Sequence, residues 1–301
     1  MLEKSLLSSF LGLFIIIAAS NAEPILEGAY AVNQAKVNKF KHHVSVQIFD
    51  SENGCTDHSC EGAILDELHI ITTAFCAFAH KDKNLVVVAG ALDLRDKEAG
   101  LYHEVEYTYI PKTYPYLKGR DEIGILKLKK PLPLGSDSRI EAIKLPTADH
   151  SVGQGLFMTG YGFLKQYLNR TLDFESTISP ILRFDVQTEV FNLKDCDANN
   201  KDFCTIVLTM DSKATTCNAF HGAPLVEASY DSNRQIVLTL VGVFKSWIPN
   251  WCGTYNKHTK VSDYLDFISN VRNQVLNDVK SEKLPTDDYP NKLRRYPQCK
   301  L

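Results

Sequence analysis

Eight cysteines, a run of lysines and histidines near the start, and one glycosylation sequon are the residues best placed for chemistry. The cysteines are Cys55, Cys60, Cys76, Cys196, Cys204, Cys217, Cys252 and Cys299. Thiolates at short spacing can hold zinc, and the pairs Cys55/Cys60 and Cys196/Cys204 raise that reading. Neither pair has a further His or Cys at a zinc-finger offset, so disulfides in an oxidising compartment are expected instead. Lys36, Lys39, Lys41, His42 and His43 form a basic run. Such a run can bind a heparin-like polyanion or simply be a solvated loop. Asn169-Arg170-Thr171 is an acceptor for N-glycosylation in an exported chain.

The elements that carry these residues follow from hydrophobic pattern. Lys4 precedes an apolar run from Leu6 to Ala19, and Ser20, Asn21 and Ala22 supply small residues for cleavage. The run is shorter than the ~20 residues a bilayer span needs, so residues 1–22 are expected to be a signal peptide rather than a membrane anchor. From Val44 onward, short Val-, Ile-, Leu- and Phe-rich runs alternate with turn residues: Val44–Ile48, Ala63–Ile71, Leu85–Val88, Ile123–Leu128, Leu156–Thr159, Val186–Val190 and Ile236–Phe244. That pattern predicts an all-β domain. Pro131, Pro133 and Gly135 mark Lys129–Ser138 as the best interdomain connection. Tyr264, Leu265, Ile268, Val271, Val275 and Leu276 recur at helical spacing behind a capping Ser262, which predicts a helix over 262–279. The charged stretch 280–301 has little to bury and is expected to be a loosely held tail. Its basic cluster Lys292, Arg294, Arg295 and Lys300, with Tyr289 and Tyr296, is a possible docking segment.

Seven segments in order resemble the chymotrypsin-like (trypsin-type) serine proteases. They are Ile25-Leu26-Glu27-Gly28, Cys60 through Cys76, Asp121 through Leu128, Gly160-Tyr161-Gly162, Cys217 through Val226, Ser246-Trp247, and Thr259 through Ile268. The resemblance spans about residues 25 to 276 and implies two antiparallel six-stranded β-barrels, about 25–130 and 140–261, followed by a C-terminal helix. It also implies the disulfides Cys60–Cys76, Cys196–Cys204 and Cys217–Cys252. Cys55 and Cys299 have no family counterpart; they could pair and pin the tail against the first barrel, or one could bond another chain.

By the same resemblance, the three catalytic positions are all changed. Peptide cleavage by this route needs a hydroxyl nucleophile, an imidazole base, a carboxylate that orients the base, and backbone N–H groups for the oxyanion. Phe75 stands at the base position and cannot accept a proton. His221 stands at the nucleophile position, and Glu122 at the aspartate position. Phe220 replaces the aspartate that pairs with the activated N-terminus, while Ala219 stands at the oxyanion position. Thr215 lies at the pocket base, and Ile248 follows Trp247 where a glycine is usual. His221 and Glu122 could be a metal site or a new acid–base pair; two ligands are too few for a tight zinc site, and no third His or Cys can be placed nearby from sequence.

The resemblance therefore implies a secreted, extracellular, non-catalytic homologue acting by binding a protein partner, as a cofactor, decoy or regulator of a proteolytic or immune cascade or as a venom or saliva component. Two other readings are a hydrolase with rearranged groups, using Ser246 or Thr215 beside His221, and a polyanion-binding module. No cofactor is implied. A net charge of -3 over 301 residues argues against nucleic acid, which selects a clustered positive excess.

Overall fold

The computed structural model describes residues 33–34, 39–96, 98–115, 120–147, 154–161, 163–165, 177–178, 180–190, 201–208, 215–216, 221–247, 255–285 and 299. After the two-residue β1 (Asn33–Gln34), the first barrel is built from β2 (His43–Asp50), β3 (Cys55–Ile64), β4 (His69–Thr72), β5 (Asn84–Ala89), β6 (Leu101–Pro111) and β7 (Gly124–Leu128). Pairing runs β6–β5–β2–β3–β4–β7 and returns from β7 to β6, so the sheet closes into a barrel. A short helix, α1 (Ala74–Ala79), leaves the end of β4.

The second half contains β8 (Gln154–Gly160), β9 (Phe163–Lys165), β10 (Thr177–Ile178), β11 (Arg183–Val190), β12 (Asp202–Val207), β13 (Thr215–Thr216), β14 (Pro224–Tyr230), β15 (Ile236–Trp247) and β16 (Tyr255–Lys260). Strands β8, β11, β12, β16, β15 and β14 close the second antiparallel barrel in that order, and β9, β10 and β13 make a small separate sheet. Two closed six-stranded barrels are what the resemblance implies. β1 pairs with β11, so Asn33–Gln34 joins the second barrel rather than the first.

Alternation along the strands decides what each barrel buries. Val44, Val87 and Leu126 fill the first, with Cys60 and Cys76 among them, while Leu156, Met158, Leu225, Val241 and Phe244 fill the second. A third cluster joins the two: Ile71, Val86 and Ile125 meet Phe157, Val226, Leu240 and the C-terminal Ile268. Each such side chain contributes roughly 1.5–3 kcal/mol on burial, so the seam between the barrels is itself a hydrophobic core.

Three sequence expectations need correction. Ala63–Ile71 is two strands, because Asp66 Oδ1 accepts the N–H groups of Leu68 and His69 and turns the chain between β3 and β4. The terminal helix is shorter than 262–279: a 3₁₀ turn (Val261–Tyr264) leads into α2 (Leu265–Arg272). Ser262 does not cap it; its buried Oγ has no hydrogen-bond partner among the described residues. Gln274 takes φ 59°, and the N–H groups of Gln274 and Val275 bond back to Val271 and Asn270, a Schellman stop that ends the helix.

The third correction concerns the tail. Residues 279–283 form a last strand, β17 (Val279–Lys283), antiparallel to β6 from Tyr107 to Pro111. β6 pairs with β5 only through Glu104, which leaves an edge that β17 takes. Val279 and Leu284 are the buried residues that anchor it. Farther on, Cys299 is bonded to Cys55, and its N–H donates to Thr56 O. The remaining tail residues, 286–298, 300 and 301, lie outside the described residues, as do residues 1–22, Lys36 and Asn169.

Candidate functional site

The structure brings Phe75, Glu122 and His221 together. Thr73 caps α1 by accepting the Cys76 N–H, which sets Phe75 in the first turn. Glu122 precedes β7 by two residues and is buried. Its Oε1 accepts the backbone N–H of Phe75 at 2.6 Å, so the carboxylate serves the helix terminus, where a negative charge is favoured. His221 sits in the turn before β14, and its ring lies 4.8 Å from that of Phe75. The space between the two positions is therefore filled by a ring-on-ring contact.

The electrostatics follow burial. Desolvation raises the Glu122 carboxyl above its ordinary range, opposed by the Phe75 N–H, the Tyr114 hydroxyl and the Lys245 charge. Desolvation lowers the His221 imidazole, opposed by a backbone hydrogen bond to Lys245. His221 Nδ1 is buried with no hydrogen-bond partner among the described residues, and no hydrogen bond joins His221 to Ser246 there. Of Thr215 the backbone is placed in β13; its side chain, and Ala219, Phe220 and Ile248, lie outside the described residues.

Beside the site is an ion cluster that the sequence reading did not single out. Lys245 Nζ lies 2.5 Å from Asp202 Oδ2, and Lys257 Nζ lies 3.7 Å from the same oxygen, with the first two side chains almost wholly buried. Burial lowers the Lys245 ammonium, and Asp202 holds it up. The sequence signal was a lysine placed directly after the buried run Val241–Phe244.

Beneath His221 lies a second buried polar group, also missed. The Glu61 N–H donates to His221 O, and Glu61 O accepts the Thr72 hydroxyl at 2.6 Å. Its carboxylate accepts the Tyr161 N–H at 2.7 Å across the barrel seam. His43 Nε2 and His58 Nε2 approach its two oxygens at 3.7 and 3.6 Å, all fully buried. Desolvation raises the Glu61 carboxyl well above its usual range and lowers both histidines. The signal was a charged residue inside the apolar segment Cys60-Glu61-Gly62-Ala63-Ile64.

Two disulfides are seen directly: Cys60–Cys76, as the resemblance implies, and Cys55–Cys299, the pairing left open by sequence. Cys204 is also disulfide-bonded. Cys196, Cys217 and Cys252 lie outside the described residues. Among the described residues, the one group of three potential metal ligands is Asp50, Cys55 and Cys299, whose sulfurs are already joined to each other.

The sequence model of the trypsin family matches residues 30–268. The chain belongs to the trypsin family. Among the relatives of this trypsin-family chain, trypsin eta of Drosophila erecta is 29% identical over 169 residues, 55% of this chain and 64% of that protein. Chymotrypsin-C of Mus musculus is 25% identical over 219 residues, 70% of this chain and 77% of that protein. Snake venom serine protease KN6 of Trimeresurus stejnegeri is 23% identical over 267 residues, 85% and 92% of the two chains. The match thus spans just under two thirds of the fly trypsin and most of the venom protease.

Proposed function

We propose that this trypsin-family chain is a secreted binding protein that does not cleave peptides. The observation that carries the reading is the Phe75–His221 contact: a phenyl ring occupies the position assigned to the general base and packs 4.8 Å from the imidazole at the nucleophile position. A phenyl ring takes no proton, so the position assigned to the base offers His221 none. Glu122 has no imidazole to orient and spends its carboxylate on the Phe75 backbone. Loss of one triad member typically costs about 10⁴ to 10⁶ in rate, and here all three positions differ from the family pattern. Phe220, Ala219, Thr215 and Ile248 add changes at the activation, oxyanion and pocket positions of the same pattern.

Secretion is supported by the apolar run Leu6–Ala19 and by the disulfides Cys60–Cys76 and Cys55–Cys299, which need an oxidising compartment to persist. Asn169 would then carry a glycan. The partner in this reading is another extracellular protein, and the role is that of a cofactor, decoy or regulator.

Purified full-length secreted protein treated with a fluorophosphonate probe, beside a casein digestion assay, tests the proposal. The expected result is no labelled band and no digestion. Stoichiometric labelling of any one residue, or digestion that persists through repurification, would overturn it.

A further inference from the structure

Away from the cleft, the barrel seam opens into a cavity that the inert-protease reading leaves unused. It has a volume of about 430 Å³, within the ~300–1,000 Å³ of small-ligand sites. Three parts of the chain shape it: the lead-in to β2, the connection between the barrels, and the β14–β15 hairpin. Lys144 belongs to that connection and is held by a bridge to Thr239 of β15 and by the Leu240 N–H donated to its carbonyl. The cavity shares no residue with Phe75, Glu122 or His221.

Its floor is aromatic and firmly packed. Phe40 lies 6.4 Å from Phe157 and 5.2 Å from Phe184, and all three are buried. Its wall includes Ile236, 44% exposed, an apolar side chain that water covers when the cavity is empty. Its rim carries Lys39, Lys41 and Lys144, and none of the three makes an ion pair among the described residues. Two acids also line the cavity. Asp231 uses its Oδ1 to accept the N–H groups of Asn233 and Gln235 in its own turn, and Glu141 is the other. The local balance is positive, beside an apolar floor.

We propose that this cavity binds a small organic anion: an apolar body carrying one carboxylate, seated on Phe40 and Phe157 with its charge toward the rim lysines. The floor supplies burial at roughly 25 cal/mol per Å² of apolar surface removed from water. The lysines supply a charge-assisted contact that a neutral ligand of the same shape lacks. Both parts are needed, since inorganic anions gain nothing from the floor and neutral lipids gain nothing from the rim.

Titration calorimetry on the full-length protein with decanoate, with decanol as the neutral control, tests this. Decanoate is expected to bind one-to-one, and decanol at least tenfold more weakly. The double change Lys41→Ala with Lys144→Ala should weaken decanoate about tenfold while leaving the melting temperature near that of the parent. Leu238→Trp, which fills the cavity, should abolish binding; if that variant does not fold, Ile236→Glu at an exposed position does the same by charge. Absence of heat with decanoate, equal binding of decanol, or unchanged affinity in the lysine variant would each overturn the proposal. The readout is independent of the cleft: fluorophosphonate labelling would end the inert-protease reading and leave this one, and loss of decanoate binding would do the reverse.

Discussion

At Glu122, two residues before β7, a buried carboxylate holds the N-terminus of α1. It accepts the Phe75 N–H, and the Tyr114 hydroxyl and the Lys245 charge also favour its ionised form against the cost of burial. Glu122→Leu would leave the Phe75 N–H orphaned in a buried place, a loss of about 1–3 kcal/mol. Glu122→Gln keeps an acceptor and should cost less. Urea unfolding reads both, and the fluorophosphonate assay should stay silent in both; a leucine variant as stable as the parent would mean the carboxylate is idle. Phe75, Glu122 and His221 could be singled out in sequence because seven motifs, each altered but all in order, resemble the family and place them. Glu61 and Lys245 were not, because what matters about them is distance: one lies under a loop 160 residues away, the other against a strand 43 residues earlier.

The elements show why those distances are so tightly set. Glu61 of β3 runs under the turn that carries His221, and a Cβ on Gly222 would stand 1.9 Å from the Glu61 carbonyl oxygen. Gly222 also takes φ +96°, a conformation that side chains disfavour. Gly222→Ala therefore combines backbone strain with a clash against backbone and should cost on the order of 3 kcal/mol or more. Gly160→Ala meets the Glu61 carboxylate at 2.6 Å instead, an end of a side chain that can shift, so it should cost less. Denaturant midpoints for the two variants should fall in that order; the reverse order would mean that Glu61 is more rigidly held than its backbone. Strand existence was readable from the Val-, Ile- and Leu-rich runs, whereas element ends were not. Val275 and Leu276 match a helical period, but Gln274 adopts a left-handed turn and ends α2 before them. Lys280 to Lys283 reads as a polar tail, yet an open edge on β6 makes it a strand, since backbone groups rather than side chains drive that pairing.

For the molecule as a whole, one bond and one titration decide robustness. Cys55–Cys299 closes a loop across 244 residues, so Cys299→Ser should cost about 2–5 kcal/mol and make the segment after β17 a ready site for proteolysis, read by mass spectrometry of limited digests. An unchanged digest pattern would mean that β17 alone holds the tail. The titration rests on four histidines buried without charge. His42, His58 and His258 are each lowered to about 3 from 6.5, and His43 is lowered well below 6.5, desolvation being the leading cause in all four. A histidine whose folded pKa is depressed binds fewer protons when folded, so stability is lost as pH falls from about 6.5 toward 3, at up to ~1.4 kcal/mol per pH unit each. Glu61, raised in the folded state, acts with the opposite sign, gaining stability as pH falls through its folded pKa, and Glu122 and Glu189 are raised too, but burial also lowers His80, His103 and His221, so the histidines outnumber the raised carboxyls. The net loss can exhaust an ordinary stability of ~5–15 kcal/mol within a few pH units. Urea midpoints should therefore drop steadily from pH 7 through pH 5, with cooperative unfolding in mild acid. His42→Leu is the sharpest test, since its Nε2 has no hydrogen bond to lose among the described residues. It should flatten the slope by about 1.4 kcal/mol per pH unit, and a variant with the parent's slope would show that His42 takes up its proton without unfolding the chain.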